Sequence, residues 1–287
     1  MEEIFVTKNL RRNVMSIFET IKEDVVGLFE KKVPKKFGGY GWIKDASDPR
    51  DFKFVSPIKT LPKSVNMRPY MPPILDQGNL GSCTANAIAN DFYAEMLRQL
   101  SLKTINHAWL PSRLLIYFNE RTLEGTVKQD SGASVRDGFK TINTLGVCPE
   151  TEWPYIISNF AVKPPAKCYI DALRDKTVQY LSIPQVLTQM KGCLASGYPF
   201  VFGFNVYESF ESDEVAKTGI VPMPVKGEAL LGGHCVLACG YDDYYQRFMV
   251  MNSWGSGWGI KGYFTIPYAY LTSANLASDF WTIRLVS

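Results

Sequence analysis

The feature that most limits how this chain can fold is a change of texture near residue 176. Before it, apolar residues recur at helical spacing; after it, they gather into short runs rich in Val, Phe and Tyr, bounded by Gly and Pro. From Ser82 through Ala85, Ala87, Ile88, Ala89, Phe92, Ala94 and Met96 the side chains are mostly small and apolar, which predicts a helix packed on nearly all sides. Further helices are predicted at 111–121 and 133–145, the second with Ser134 as start and Gly146 as stop. Strands are predicted over 177–183, 200–206, 233–241, 247–253 and 262–266. A helical half followed by a strand-rich half implies an α+β protein of two lobes.

The N-terminal fifth has its own character. Val14, Ile17, Phe18, Ile21, Val25, Leu28 and Phe29 recur every three or four residues among charged neighbours, predicting an amphipathic helix within 8–32 that must dock on something. Pro34 and Gly38-Gly39 end it, and 35–62 reads as irregular or extended, punctuated by Gly41-Trp42 and Phe52-Lys53-Phe54. The net charge of +3 falls wholly within residues 1–60, leaving a neutral main body. That balance argues against nucleic-acid binding, which needs a basic face. No apolar run approaches the ~18 residues of a spanning helix, and the alternating charges of Met1 to Arg12 carry no secretory signal. The six cysteines are spaced too unevenly for a disulfide framework, so a reducing compartment such as the cytoplasm is expected.

Cys83 stands one residue inside a predicted helix start, after the polar approach Asp76-Gln77-Gly78-Asn79-Leu80-Gly81-Ser82. A helix N-terminus favours the thiolate, the nucleophilic form of Cys. Alone, such a residue reads more readily as a small core side chain. His234 adds to it: the chain has two histidines, and this one opens a strand after Gly232-Gly233. A thiol nucleophile needs a base, and the base needs a third group to orient it; Asn252 offers that group, with Trp254 to keep water off the pair. His107 lacks such a setting. Cys235 and Cys239 read as buried thiols, because Cys235 points to the opposite strand face from His234, and no metal or other cofactor is expected.

These stretches, Gln77 to Cys83, Gly233-His234 and Asn252-Ser253-Trp254-Gly255-Ser256-Gly257-Trp258-Gly259, resemble the Gln, Cys, His and Asn boxes of the papain-like cysteine peptidases in order and in the Gln-to-Cys step. Leu61 to Arg68 is similar to the mature start of cathepsins, and Gly146 to Tyr155 is similar to another of their segments. The resemblance runs from about residue 61 to the end. It implies a papain-like fold, a helical lobe mainly over 75–175 and a β-barrel-like lobe mainly over 176–287, with the cleft between them. It also implies an endopeptidase acting on polypeptides, with Cys83 as nucleophile, His234 as base, Asn252 orienting the imidazole, and Gln77 with the Cys83 N–H binding the oxyanion. Gly132 would pair with an extended substrate. The pocket for the residue two before the scissile bond would be lined by Ala133, Ser134, Gly203, Gly232 and Cys235, with Asp279 at its base; Gly233, Trp254 and Trp258 are counted with the substrate-binding set. A catalytically silent binding protein and a thiol acyl transferase are the competing readings. Leu80 stands where relatives commonly carry a bridging Cys, and Gly233 where an Asp is common. Residues 1–60 are expected to be a pro-like inhibitory extension lying in the cleft of a monomer.

Overall fold

The computed structural model describes residues 39–287, so the helix expected within 8–32 lies outside the described residues. The helical lobe is built from α1 (Cys83–Ser101), α2 (Arg113–Glu124), α3 (Val135–Thr144) and the short α4 (Ala166–Ala172). Ten consecutive residues at the start of α1, Cys83 to Phe92, are buried, which is why that helix is made of small side chains. Ser112 caps α2 by accepting from the Leu115 N–H at 3.2 Å, and Gly125 ends it at φ 72°. Ser134 caps α3 in the same manner. Ser82 departs from this pattern: its hydroxyl meets Tyr155 Oη at 2.5 Å instead of capping α1.

The second lobe is an antiparallel sheet of β2 (Ser64–Asn66), β4 (Thr177–Ser182), β5 (Phe200–Tyr207), β6 (Leu230–Asp242), β7 (Arg247–Met251), β8 (Tyr263–Pro267) and β9 (Ala277–Val286). The strand order is β4-β9-β5-β6-β7-β8, with β2 also on β6. Among the described residues this is an open sheet, not a closed barrel. The five expected strands are present, but β9 pairs between β4 and β5 without having been anticipated. Ser278, Asp279, Thr282 and Arg284 break its apolar run, so its strand character comes from its neighbours. Also unanticipated are α5 (Leu187–Ala195), α6 (Asp213–Thr218) and α7 (Tyr268–Thr272). Phe200, Phe202, Phe204, Phe248 and Phe280 stack on one another inside this lobe. Each such burial contributes about 2 kcal/mol.

Several ties join the lobes, and three of them bear on the site. The buried Asp91 of α1 accepts from the Ile283 N–H at 2.9 Å, and Gln99 both donates to and accepts from the Val286 backbone. The third is the stretch 39–58. Its β1 (Trp42–Ile43) pairs in parallel with β3 (Ala133–Ser134) of the helical lobe. Farther along, Phe54 and Phe52 exchange backbone hydrogen bonds with Ser182 of β4. Arg136 of α3 clamps Asp51 with two bonds of 2.6 and 3.1 Å.

Candidate active site

Cys83 opens α1, and that helix packs against β6, which carries His234 opposite Phe204 of β5. Asn252 follows the last residue of β7. The strand pairing therefore brings His234 beside Asn252, and the Cys83 thiol lies against the backbone N–H of the neighbouring Cys235, without a hydrogen bond to the imidazole. His234 Nε2 lies 2.8 Å from Asn252 Oδ1, which also accepts the Ser253 backbone N–H at 2.9 Å. Because Oδ1 is an acceptor in both contacts, Nε2 carries the proton and Nδ1 keeps its lone pair. Nδ1 is buried with no hydrogen-bond partner among the described residues. Trp254 stacks on the imidazole at 4.9 Å and 28°, with Phe204 edge-on from the other side. Trp258 is set back behind Trp254, against Phe210 and Phe264.

Gln77 is fully buried; its Oε1 accepts from Ser253 Oγ at 2.6 Å, which aims Nε2 toward the Leu80 carbonyl at 2.9 Å and the Gly39 carbonyl at 3.4 Å. The loop before Cys83 is held from below. Arg113 makes a two-pronged ion pair with Glu150, donates to the Asp76 carbonyl at 3.1 Å and stacks on Tyr155. Asp130 accepts the Gly81 N–H with both oxygens. Sequence reasoning missed this scaffold, because an Arg and a Glu 37 positions apart leave no spacing signature.

Residues 39–45 cross this site. Ala133 N–H donates to the Gly41 carbonyl at 2.8 Å and the Gly132 N–H donates to Tyr117 Oη, while a Cβ at Gly132 would collide with the Gly41 backbone, so both residues lie against the crossing segment. Tyr40 lies edge-on to His234 and hydrogen-bonds Glu211. Trp42 fills the predicted pocket: a Cβ at Gly203 would come within 2.0 Å of its indole, and one at Gly233 within 2.6 Å. Its Nε1 donates to Asp279 Oδ2 at 2.9 Å, which puts Asp279 at the base of that space, and Gly232 abuts Tyr40. Gly41 itself admits no side chain, since a Cβ there would meet the Gly81 carbonyl at 1.7 Å. Of the other expected pocket residues, Ala133 and Cys235 are fully buried, and the Ser134 side chain caps α3.

Under this cover Cys83 is completely buried. Burial pushes its thiol up to about 12, opposed by the backbone N–H groups of Cys235 and Gly41 and assisted by the nearby Glu120 carboxyl. Burial also lowers His234 to about 4 against the support of Asn252. Burial thus favours the neutral thiol and imidazole in the covered site over the thiolate and imidazolium that attack needs. All six cysteines are free, and no helix of the described residues is long and apolar enough to cross a membrane. His107 is exposed.

A family model described as papain family cysteine protease matches residues 61–281. A peptidase C1-like protein of Acanthamoeba polyphaga mimivirus is 44% identical over 274 residues, covering 93% of this chain and 84% of its own. The structure of xylellain, a cysteine protease from Xylella fastidiosa, superposes with a TM-score of 0.79 at 42% identity, covering 88% of this chain and 98% of that one. The procathepsin B S9 of Trypanosoma congolense shares the fold at a TM-score of 0.70 and 16% identity, covering 92% of this chain and 94% of its own.

Proposed function

This chain belongs to the papain family of cysteine proteases, and on that premise we propose that it is an endopeptidase held silent by its own N-terminal segment. The observation that carries the catalytic half is the imidazole of His234, fixed through Nε2 by Asn252 with a buried, unpaired Nδ1 left as base. Cys83 would give its proton to Nδ1 and attack the peptide carbonyl. The Cys83 N–H and Gln77 Nε2 would stabilise the oxyanion, and the imidazolium would return the proton to the leaving amine. Water would then release the acyl group by the same route in reverse. Residues 61–287 are the peptidase domain in this reading, and 1–60 the inhibitory extension.

The silent half rests on occupancy. Trp42 sits in the space where a substrate side chain would go, Tyr40 lies beside the base, and the Gly39 carbonyl reaches the Gln77 amide. A tether keeps this occupant at high effective concentration, so weak intrinsic binding suffices. A thiol-directed epoxysuccinyl probe tests both halves at once. Labelling should fall on Cys83, vanish in Cys83→Ala, and proceed faster on folded protein lacking residues 1–60 than on the intact chain. Equal rates for the two folded forms would make the segment a permanent packing element, and peptide turnover by Cys83→Ala above background would end the peptidase assignment.

A further inference from the structure

A small core separate from the main one contains Leu115, Cys148, Cys168 and Ala172, with Trp153 and Tyr169 packed on it. Cys148 lies in the loop after α3, its carbonyl accepting the Ser112 N–H at 2.9 Å, and Cys168 lies in α4. Both thiols are buried, and Glu152 stands half-buried beside them. The two sulfurs and a Glu152 carboxylate oxygen all lie within 4.8 Å of one another. Glu152 Oε2 is buried, with the Lys167 ammonium, itself bound to Asp171, 3.4 Å away.

We infer that Cys148, Glu152 and Cys168 form a binding site for a thiophilic divalent cation, Zn²⁺, that pins α4 to the loop 146–152. Two lines carry it. The dimensions fit: metal–ligand distances of about 2.3 Å for sulfur and 2.0–2.2 Å for oxygen give tetrahedral edges of roughly 3.5–3.8 Å, so the three atoms need close by only about 1 Å. The donor set is selective, since two thiolates and one carboxylate favour Zn²⁺ over Ca²⁺ or Mg²⁺, which take oxygen ligands. Charge is no obstacle: two thiolates and a carboxylate around Zn²⁺ leave one negative charge, with the Lys167 ammonium, shared with Asp171, close by. Binding releases one proton from each thiol, two per ion, because the thiolate is the ligand. A water or the second Glu152 oxygen completes the fourth position.

The test uses the full-length chain carrying Cys83→Ala, which removes both the cleft thiol and self-cleavage, stripped with a chelator. Zn²⁺ is titrated against a chromogenic competitor, and Cd²⁺ through its thiolate charge-transfer absorption. One equivalent should bind with release of two protons and raise the melting temperature. Cys148→Ser or Cys168→Ser should abolish the Cd²⁺ band, and Glu152→Gln, the mildest change, should weaken Zn²⁺ binding by about 10-fold or more. The inference is overturned by an absent stoichiometric site, by binding that survives Cys148→Ser or is unmoved by Glu152→Gln, or by a Cys148–Cys168 disulfide and no zinc in protein isolated without reductant. Should a Ser variant fail to fold, Glu152→Gln and the proton count decide.

Discussion

At the scale of single residues, the site depends on which atom of each side chain is already committed. Asn252 spends Oδ1 on both the imidazole and the Ser253 N–H, so Asn252→Ala frees the ring to turn without removing nucleophile or base. Peptide turnover by protein lacking residues 1–60 should then fall by about 10²-fold, whereas Cys83→Ala and His234→Ala should each reduce it to background, read as kcat/KM. Gly203 makes a second case. Gly203→Ala puts a Cβ 2.0 Å from the Trp42 indole, so the indole must leave, and Cys83 labelling in the intact chain should speed up. Unchanged labelling in a folded Gly203→Ala protein would mean that Trp42 does not limit access. Gln77, Cys83, His234 and Asn252 were legible in the sequence because the chemistry calls for those residue types and their order resembles the family's boxes. Tyr40 and Trp42 were legible only as aromatic punctuation, since nothing in a linear pattern says which cavity an indole enters.

At the scale of elements, the segment 39–58 behaves as a strap whose hold depends on pH through two opposed groups. Asp45 is half-buried beside Asp279, and loss of solvent first, then that neighbouring charge, raise its carboxyl from 3.8 to about 7. A carboxyl raised on docking favours the docked strap fully below its ordinary value, and that contribution is lost as pH rises through about 7. His234, lowered from 6.5 to about 4 by burial, acts in the other sense: its contribution is present above 6.5 and lost as pH falls toward 4. Asp45→Asn removes the first effect. The ratio of labelling rates, intact over trimmed, should therefore climb less between about pH 5 and 8 in Asp45→Asn than in the natural chain. Identical pH dependence of that ratio in both would exclude Asp45 as a contributor. Of the helices that announced themselves in the sequence, α2 and α3 had a capping Ser with an apolar stripe, and α1 had its run of small apolar residues alone. The short α6 is capped by Ser212 and Gly219 but its six residues bury only Val215 and Ala216, too few for a stripe, and the apolar run of β9 is broken by polar residues, so tertiary packing decided their state.

At the scale of the whole molecule, stability owes nothing to covalent cross-links among the described residues. Hydrogen bonds such as Asp91–Ile283, Gln99–Val286 and Gln77–Ser253 tie the lobes, and the clamp of Arg136 on Asp51 holds the segment 39–58 to the helical lobe. Thermal unfolding midpoints with and without reductant should coincide, and unfolding in denaturant with a chelator should expose six titratable thiols per chain. Two or more disulfides found by intact mass would contradict this. The strap's place in the chain has a further consequence, for the order of synthesis. Tyr40 and Trp42 leave the ribosome ahead of Cys83, and His234 follows Tyr40 by roughly 10–40 s at ordinary rates of elongation. The site assembles from pieces at 39–45, 77–83, 130–134, 203, 232–234, 252–254 and 279, so it cannot exist until nearly the entire chain has emerged. Its cover is therefore waiting before there is anything to cover, and the nascent enzyme need never present an open cleft to the proteins around it.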